Sequence, residues 1–193
     1  MTPKDQLIEI ISNYAIHRGD FPLSSGKRSP YFIDMASAVY RPHALDLITS
    51  SMISLGLDRD GKATIDSIGG PRSGADPIVG AMLQRRSRSS HPDIRGFSIS
   101  KTARKGSPGV HPRDFVEGCL LPGDRVMVVE DVITTGAQTL RACEIVRGCG
   151  ATVEVVVAVV DRLGGGREWL AQHGFHQYYA LVDLNDLGLP VLT

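Results

Sequence analysis

The chain has 193 residues, 42% of them hydrophobic and 22% charged, which is enough for a single domain with a sizeable core. Twenty-one basic residues balance 21 acidic ones, so the total charge gives no general attraction to nucleic acid, and any anion site must be local. No run approaches the ~18 apolar residues of a membrane span, no apolar signal stretch follows Met1–Gln6, and Cys119, Cys143 and Cys149 lack metal-ligand spacing. These features lead us to expect a cytoplasmic protein without membrane or nucleic-acid partners.

Leu7, Ile10, Ile11, Tyr14 and Ala15 recur at helical spacing, which predicts an amphipathic helix over 4–17. Residues 21–34, FPLSSGKRSPYFID, read as a loop entering a short strand. Pro42 suits the first turn of a second helix, whose face would be Leu45, Ile48, Met52 and Leu55. From residue 64 the pattern becomes strand, loop, helix, repeated. Thr64–Ile68 reads as a strand, Gly69–Gly74 as a loop, and Asp76-Pro77 as the N-cap and first residue of a helix. Residues 94–99 read as a strand, and 101–117 show no apolar periodicity. Arg125–Val129 and Thr152–Val160 have the continuous apolar character of buried parallel strands. Between them lie a loop over 130–136 and a helix to about Arg147, ended by Gly148 and Gly150. A helix near 166–173 and a strand near 178–183 finish the chain.

Such alternation implies an α/β domain with a mostly parallel sheet. The expected organisation is one domain over 1–193, with a small hood over 1–60 and the α/β core over 61–193.

Ligands of open parallel sheets bind beyond the carboxyl ends of strands, where the 130–136 loop falls. Thr134, Thr135 and Gly136 offer hydroxyls and backbone N–H groups at the start of a helix, which suits a phosphate. Glu130 and Asp131 would repel that phosphate unless they accept from vicinal sugar hydroxyls. A phosphate cradle beside hydroxyl acceptors describes ribose 5-phosphate. The plainer reading, two acids ending a strand before a glycine turn, is equally supported by spacing alone.

The string Val128-Val129-Glu130-Asp131-Val132-Ile133-Thr134-Thr135-Gly136 resembles the phosphoribosyl pyrophosphate (PRPP) signature of type I phosphoribosyltransferases. No Walker loop or GxGxxG competes with it. Four further segments resemble the orotate branch of that family. They are Ser25–Asp34 (SGKRSPYFID), Gly69–Pro77, Val160-Asp161-Arg162 followed by glycines, and Phe115–Gly118 with the late Asp186–Leu189.

The resemblance implies a type I phosphoribosyltransferase-like α/β fold that transfers phosphoribosyl from PRPP to orotate. It implies a PRPP site of Glu130, Asp131, Val132, Ile133, Thr134, Thr135, Gly136, Ala137 and Gln138, with Lys101, Arg104, Lys105 and Arg72 as cations. Lys101, Arg104 and Asp131 would be catalytic. Orotate would be held by Thr134, Arg162, Phe32, Ile33 and Ser24, with Arg162 taking the carboxylate bidentately. Mg²⁺ would be held mainly through substrate and water. A homodimer is also implied, with the 101–117 loop completing the neighbouring site.

That loop departs from the family motif Arg-Lys-x-x-Lys-x-His-Gly. Lys101 matches and Arg104 replaces the second lysine, but Ser100 stands for the arginine and Gly106 for the histidine. His111 lies five residues further on, and Ser24 sits where some members carry a lysine. Two alternatives follow: a phosphoribosyltransferase for another base, or a non-catalytic PRPP-sensing regulator of the same fold.

Overall fold

The computed structural model describes residues 1–22, 28–61, 63–87 and 94–191. Helix α1 (Pro3–Tyr14) starts from a capping box in which Thr2 Oγ1 accepts from Asp5 N and the Asp5 carboxylate accepts from Thr2 N. It stops three residues short of the expected end. Ile16 begins strand β1 (Ile16–Pro22), which pairs antiparallel with β2 (Arg28–Ile33), setting Ile16 opposite Ile33. Cross-strand pairing of this β-branched residue overrides the helical periodicity. A short helix α2 (Ala36–Val39) follows, then α3 (Pro42–Ile53), with proline in its first turn as the sequence requires.

The main sheet has six strands in the order β5-β4-β3-β6-β7-β8. They are β3 (Ser67–Pro71), β4 (Arg95–Ile99), β5 (Val116–Gly118), β6 (Arg125–Ile133), β7 (Thr152–Asp161) and β8 (Tyr178–Asp183). All neighbours are parallel except β5, which pairs antiparallel with β4 at the edge. Helix α4 (Asp76–Ser87) follows β3, α5 (Ala137–Gly148) follows β6, and α6 (Gly166–Gln172) follows β7.

Side chains alternate along most of the two central strands. Met127, Val129, Val155, Val157 and Val159 pack with Leu7 and Ile11 of α1, Ile48 and Met52 of α3, and Ile78 and Met82 of α4. Val126, Val128, Val156 and Ala158 pack on the other face against Leu140, Cys143 and Val146 of α5 and Leu170 of α6. The first 60 residues therefore add α1, α2 and α3 to one face of the sheet, while the β1–β2 hairpin forms a separate two-stranded sheet. Among the described residues, no helix is long and apolar enough to cross a membrane.

Two further boundaries differ from expectation. Gly69 and Gly70 lie inside β3 rather than in a loop. A Cβ at Gly70 would sit 1.9 Å from the Val129 carbonyl oxygen, and one at Gly69 would sit 2.5 Å from the Phe97 ring. Glycine here permits close strand approach, a use that composition cannot separate from a turn. Likewise β6 runs to Ile133, so Glu130–Ile133 are strand residues and only Thr134–Gly136 turn.

Candidate active site

A cleft of about 430 Å³ opens at the carboxyl ends of β3 and β6. It is lined by Pro71–Gly74, Lys101 and the continuous run Glu130–Thr139. The Thr134–Gly136 turn leads into α5, where Gly136 adopts φ +77° at the N-cap. This left-handed conformation suits glycine, and a Cβ there would lie 3.0 Å from the Gly166 carbonyl oxygen. Thr134 and Thr135 are exposed, so hydroxyls and helix N-terminal amides face the cleft together.

The two acids occupy different environments. Glu130 is buried at 7% exposure, and its Oε2 accepts from Thr139 Oγ1 at 3.1 Å. Burial first, and the negative charge of Asp131 second, push its carboxyl up to about 9. Asp131 is half-buried, and its Oδ1 accepts from its own neighbour's amide, Val132 N, at 2.8 Å. Its carboxylate fills the space above Gly74, where a Cβ would stand 2.4 Å from Oδ1. The loop after β3 and the acids of β6 thus meet at one point.

Of the expected cations, Lys101 lines the cleft and is exposed. Arg72 lines it too, but is paired with Glu117 Oε2 at 2.5 Å and Asp76 Oδ2 at 3.4 Å. Arg104 and Lys105 are exposed outside the lining, on a segment folded back on itself: Arg104 N donates to the Asp114 carbonyl oxygen at 2.8 Å. The 101–117 stretch is more ordered than its composition suggests. It holds a 3-10 turn over Pro112–Phe115 and the start of β5. His111 is the N-cap of that turn, with Nδ1 accepting from Arg113 N at 3.1 Å. That lone pair is engaged within the segment.

Arg162 follows β7, and its backbone N donates to the Ile133 carbonyl oxygen at 2.8 Å. Its guanidinium lies 5.6 Å from the Tyr31 ring centroid, and its buried Nε has no hydrogen-bond partner among the described residues. The glycines after Arg162 are needed for this approach. A Cβ at Gly166 would lie 2.5 Å from Ile133 Cγ2, and one at Gly164 would lie 2.9 Å from Thr134 Cγ2. The structure brings Arg162 together with Tyr31 rather than with Phe32, which points outward, 51% exposed, against Phe21. Ile33 is buried in the core, and Ser24 lies outside the described residues. Tyr31 escaped sequence reasoning, although strand alternation through 28–33 would have separated it from Phe32.

The chain matches no family model. It is 35% identical over 185 residues to the orotate phosphoribosyltransferase of Rhodopirellula baltica, covering 95% of this chain and 93% of that one. It is 38% identical over 184 residues to that of Corynebacterium glutamicum, with coverage of 95% and 93%. The chain belongs to the orotate phosphoribosyltransferase family. Orotate phosphoribosyltransferase of Mycobacterium tuberculosis shares this fold at 31% identity. Its Fe(III) dicitrate complex superposes with TM-score 0.81 and its PRPP complex with 0.76, each covering 97% of this chain and 100% of that one. The α/β architecture is that of the type I phosphoribosyltransferases, as the sequence predicted.

Proposed function

We propose that the chain transfers the 5-phosphoribosyl group of PRPP to a ring nitrogen of orotate, giving orotidine 5′-monophosphate and pyrophosphate. The observation that carries this reading is the single cleft in which the Thr134–Gly136 turn, the half-buried Asp131 and Lys101 converge, beside Arg162 with its unpaired Nε.

The 5-phosphate takes the amides and hydroxyls of residues 134–138 at the α5 N-terminus. Asp131 accepts from the ribose hydroxyls, and its charge lies near the positive charge that develops on the sugar as the bond to pyrophosphate breaks. Glu130, less exposed, supports that side of the sugar from beneath. Arg162 takes the orotate carboxylate, which would satisfy its buried Nε. Lys101, with Arg72 released from Glu117, receives the departing pyrophosphate. Orotate bound in its deprotonated form needs no enzyme base, so catalysis rests on positioning and charge stabilisation.

Asp131 offers a carboxylate to the cleft, and Ser73, Thr134 and Thr135 add hydroxyls to its lining, hard oxygen donors of the kind that suit Mg²⁺. Bound through substrate oxygens and water, Mg²⁺ would neutralise charge on the pyrophosphate. In the homodimer we propose, Lys101 serves its own cleft, while Arg104 and Lys105 lie on the exposed part of the segment that reaches the neighbour.

The test is loss of orotate absorbance on mixing the protein with orotate, PRPP and Mg²⁺. Turnover is expected, and Asp131→Asn should lower it by about two orders of magnitude without unfolding. PRPP binding without turnover would instead support a sensing role, and near-normal rates in the variant would remove Asp131 from the mechanism.

A further inference from the structure

Arg141 sits one turn into α5, close behind the phosphate cradle, and reaches across to the segment after β4. Its Nη1 donates to the Ser100 carbonyl oxygen at 3.2 Å and its Nη2 to that of Lys101 at 3.3 Å. The same guanidinium lies 4.8 Å from the Phe115 ring centroid, at the far end of the segment. Ser100 N donates to the Phe115 carbonyl oxygen at 2.9 Å, so the two roots of the 101–117 segment are joined where Arg141 grips them. Arg141, Lys101, Gln138, Pro71 and Ile99 together wall a mainly apolar chamber of about 280 Å³ adjoining the cleft.

We infer that Arg141 is a positioning residue that fixes the backbone of Lys101, so that its ammonium faces the cleft on a frame shared with the phosphate turn. One planar fork spans two successive carbonyls in a fixed geometry that the freely rotating ammonium of lysine does not impose. A flexible four-carbon stem alone does not set where an ammonium dwells, but the position of its backbone does. Because Arg141 belongs to the helix whose N-terminus carries the phosphate turn, the distance between phosphate site and cation is set through one rigid element. This inference rests on the proposed role of Lys101.

The test compares Arg141→Ala, Arg141→Lys, Lys101→Ala and the Ala–Ala double variant in the orotate assay. Alanine at position 141 favours the helix, so folding should survive, and the melting temperature checks this. Arg141→Ala should lower kcat/KM for PRPP about tenfold while KM for orotate changes less than about twofold. Arg141→Lys should recover only part of that loss. The double variant should be no worse than Lys101→Ala alone, because both changes remove one function. Trypsin should also cut within 101–113 faster in Arg141→Ala than in the parent protein. Two results would overturn the inference while leaving the role of Lys101 intact: unchanged kinetics in Arg141→Ala, or a double variant whose loss is the product of the two single losses. Parent-like kinetics in Lys101→Ala would remove the underlying role of Lys101 and this inference with it.

Discussion

Replacing Glu130 with glutamine should stabilise the protein, by an amount that grows with pH. The Glu130 carboxyl is raised from its ordinary 4.5 to about 9, first by burial and then by the charge of Asp131. Between those values the unfolded chain releases the proton and the folded one keeps it. Below about pH 4.5 neither state is ionised and the group imposes no penalty. As pH rises through the interval, folding stability falls by about 1.4 kcal/mol per unit, so by pH 7 the cost is on the order of 3 kcal/mol. Glutamine has nearly the same shape, cannot ionise, and can still accept from Thr139 Oγ1, so it escapes this cost. Urea denaturation of parent and Glu130→Gln at pH 5, 6, 7 and 8 measures the gap directly. It should be small at pH 5 and widen steadily, reaching about 3 kcal/mol at pH 7, which in a thermal scan corresponds to very roughly 6–12 °C. Two curves that stay parallel across this range would show that Glu130 titrates alike in both states, and the argument from burial would fail.

Two further predictions concern function. Gly74→Ala would place a methyl 2.4 Å from the Asp131 carboxylate, which as a side-chain terminus can turn aside. Turnover should drop at least about tenfold with less than about 1 kcal/mol lost in stability; an active Gly74→Ala enzyme would mean that Asp131 need not hold this position. Arg162→Ala should raise KM for orotate by about a hundredfold, leaving PRPP affinity within about twofold in equilibrium binding, because a buried donor set is removed from one substrate only. Equal losses for both substrates would assign Arg162 to the frame of the cradle instead.

Much of this was legible in the sequence because parallel strands and helix starts carry strong local signals. The valine runs of β6 and β7, the proline of α3 and the Thr134–Gly136 turn each follow from properties of neighbouring residues. What escaped depends on distant partners. Gly69 and Gly70 read as a loop because the reason for them, Phe97 and the Val129 carbonyl, lies on adjacent strands. The two acids read as a matched pair, since nothing in their order tells that one is enclosed against Thr139 and the other open to the cleft. Ser100 read as a missing guanidinium. One does stand beside its carbonyl, but it comes from Arg141, 41 residues on, and no motif read along the chain could reveal it. Arg72 read as an available cation, and its distant partner Glu117 became evident only once β5 was seen to lie beside β4.

The Arg72 pairings bear on how the cleft meets a highly charged substrate. Both partners of the Arg72–Glu117 contact are close to half exposed, so solvent screens it and its worth is at most about 1 kcal/mol. Under the proposed function, a pyrophosphate group bearing several charges would compete for Arg72 on favourable terms, an exchange within ordinary binding energies. The pair also opposes the Arg72 charge in a lining that already holds Lys101. Glu130, holding its proton, removes a negative charge from the sugar side in the same way. The charges that remain in the lining are the Asp131 carboxylate and the Lys101 ammonium, carried on a frame set by β3, β6 and α5. Glu117 is the last residue of the 101–117 segment and pairs with Ser98 of β4, so the sheet holds that root whichever partner Arg72 takes, while Arg141 grips Ser100 and Lys101 at the other.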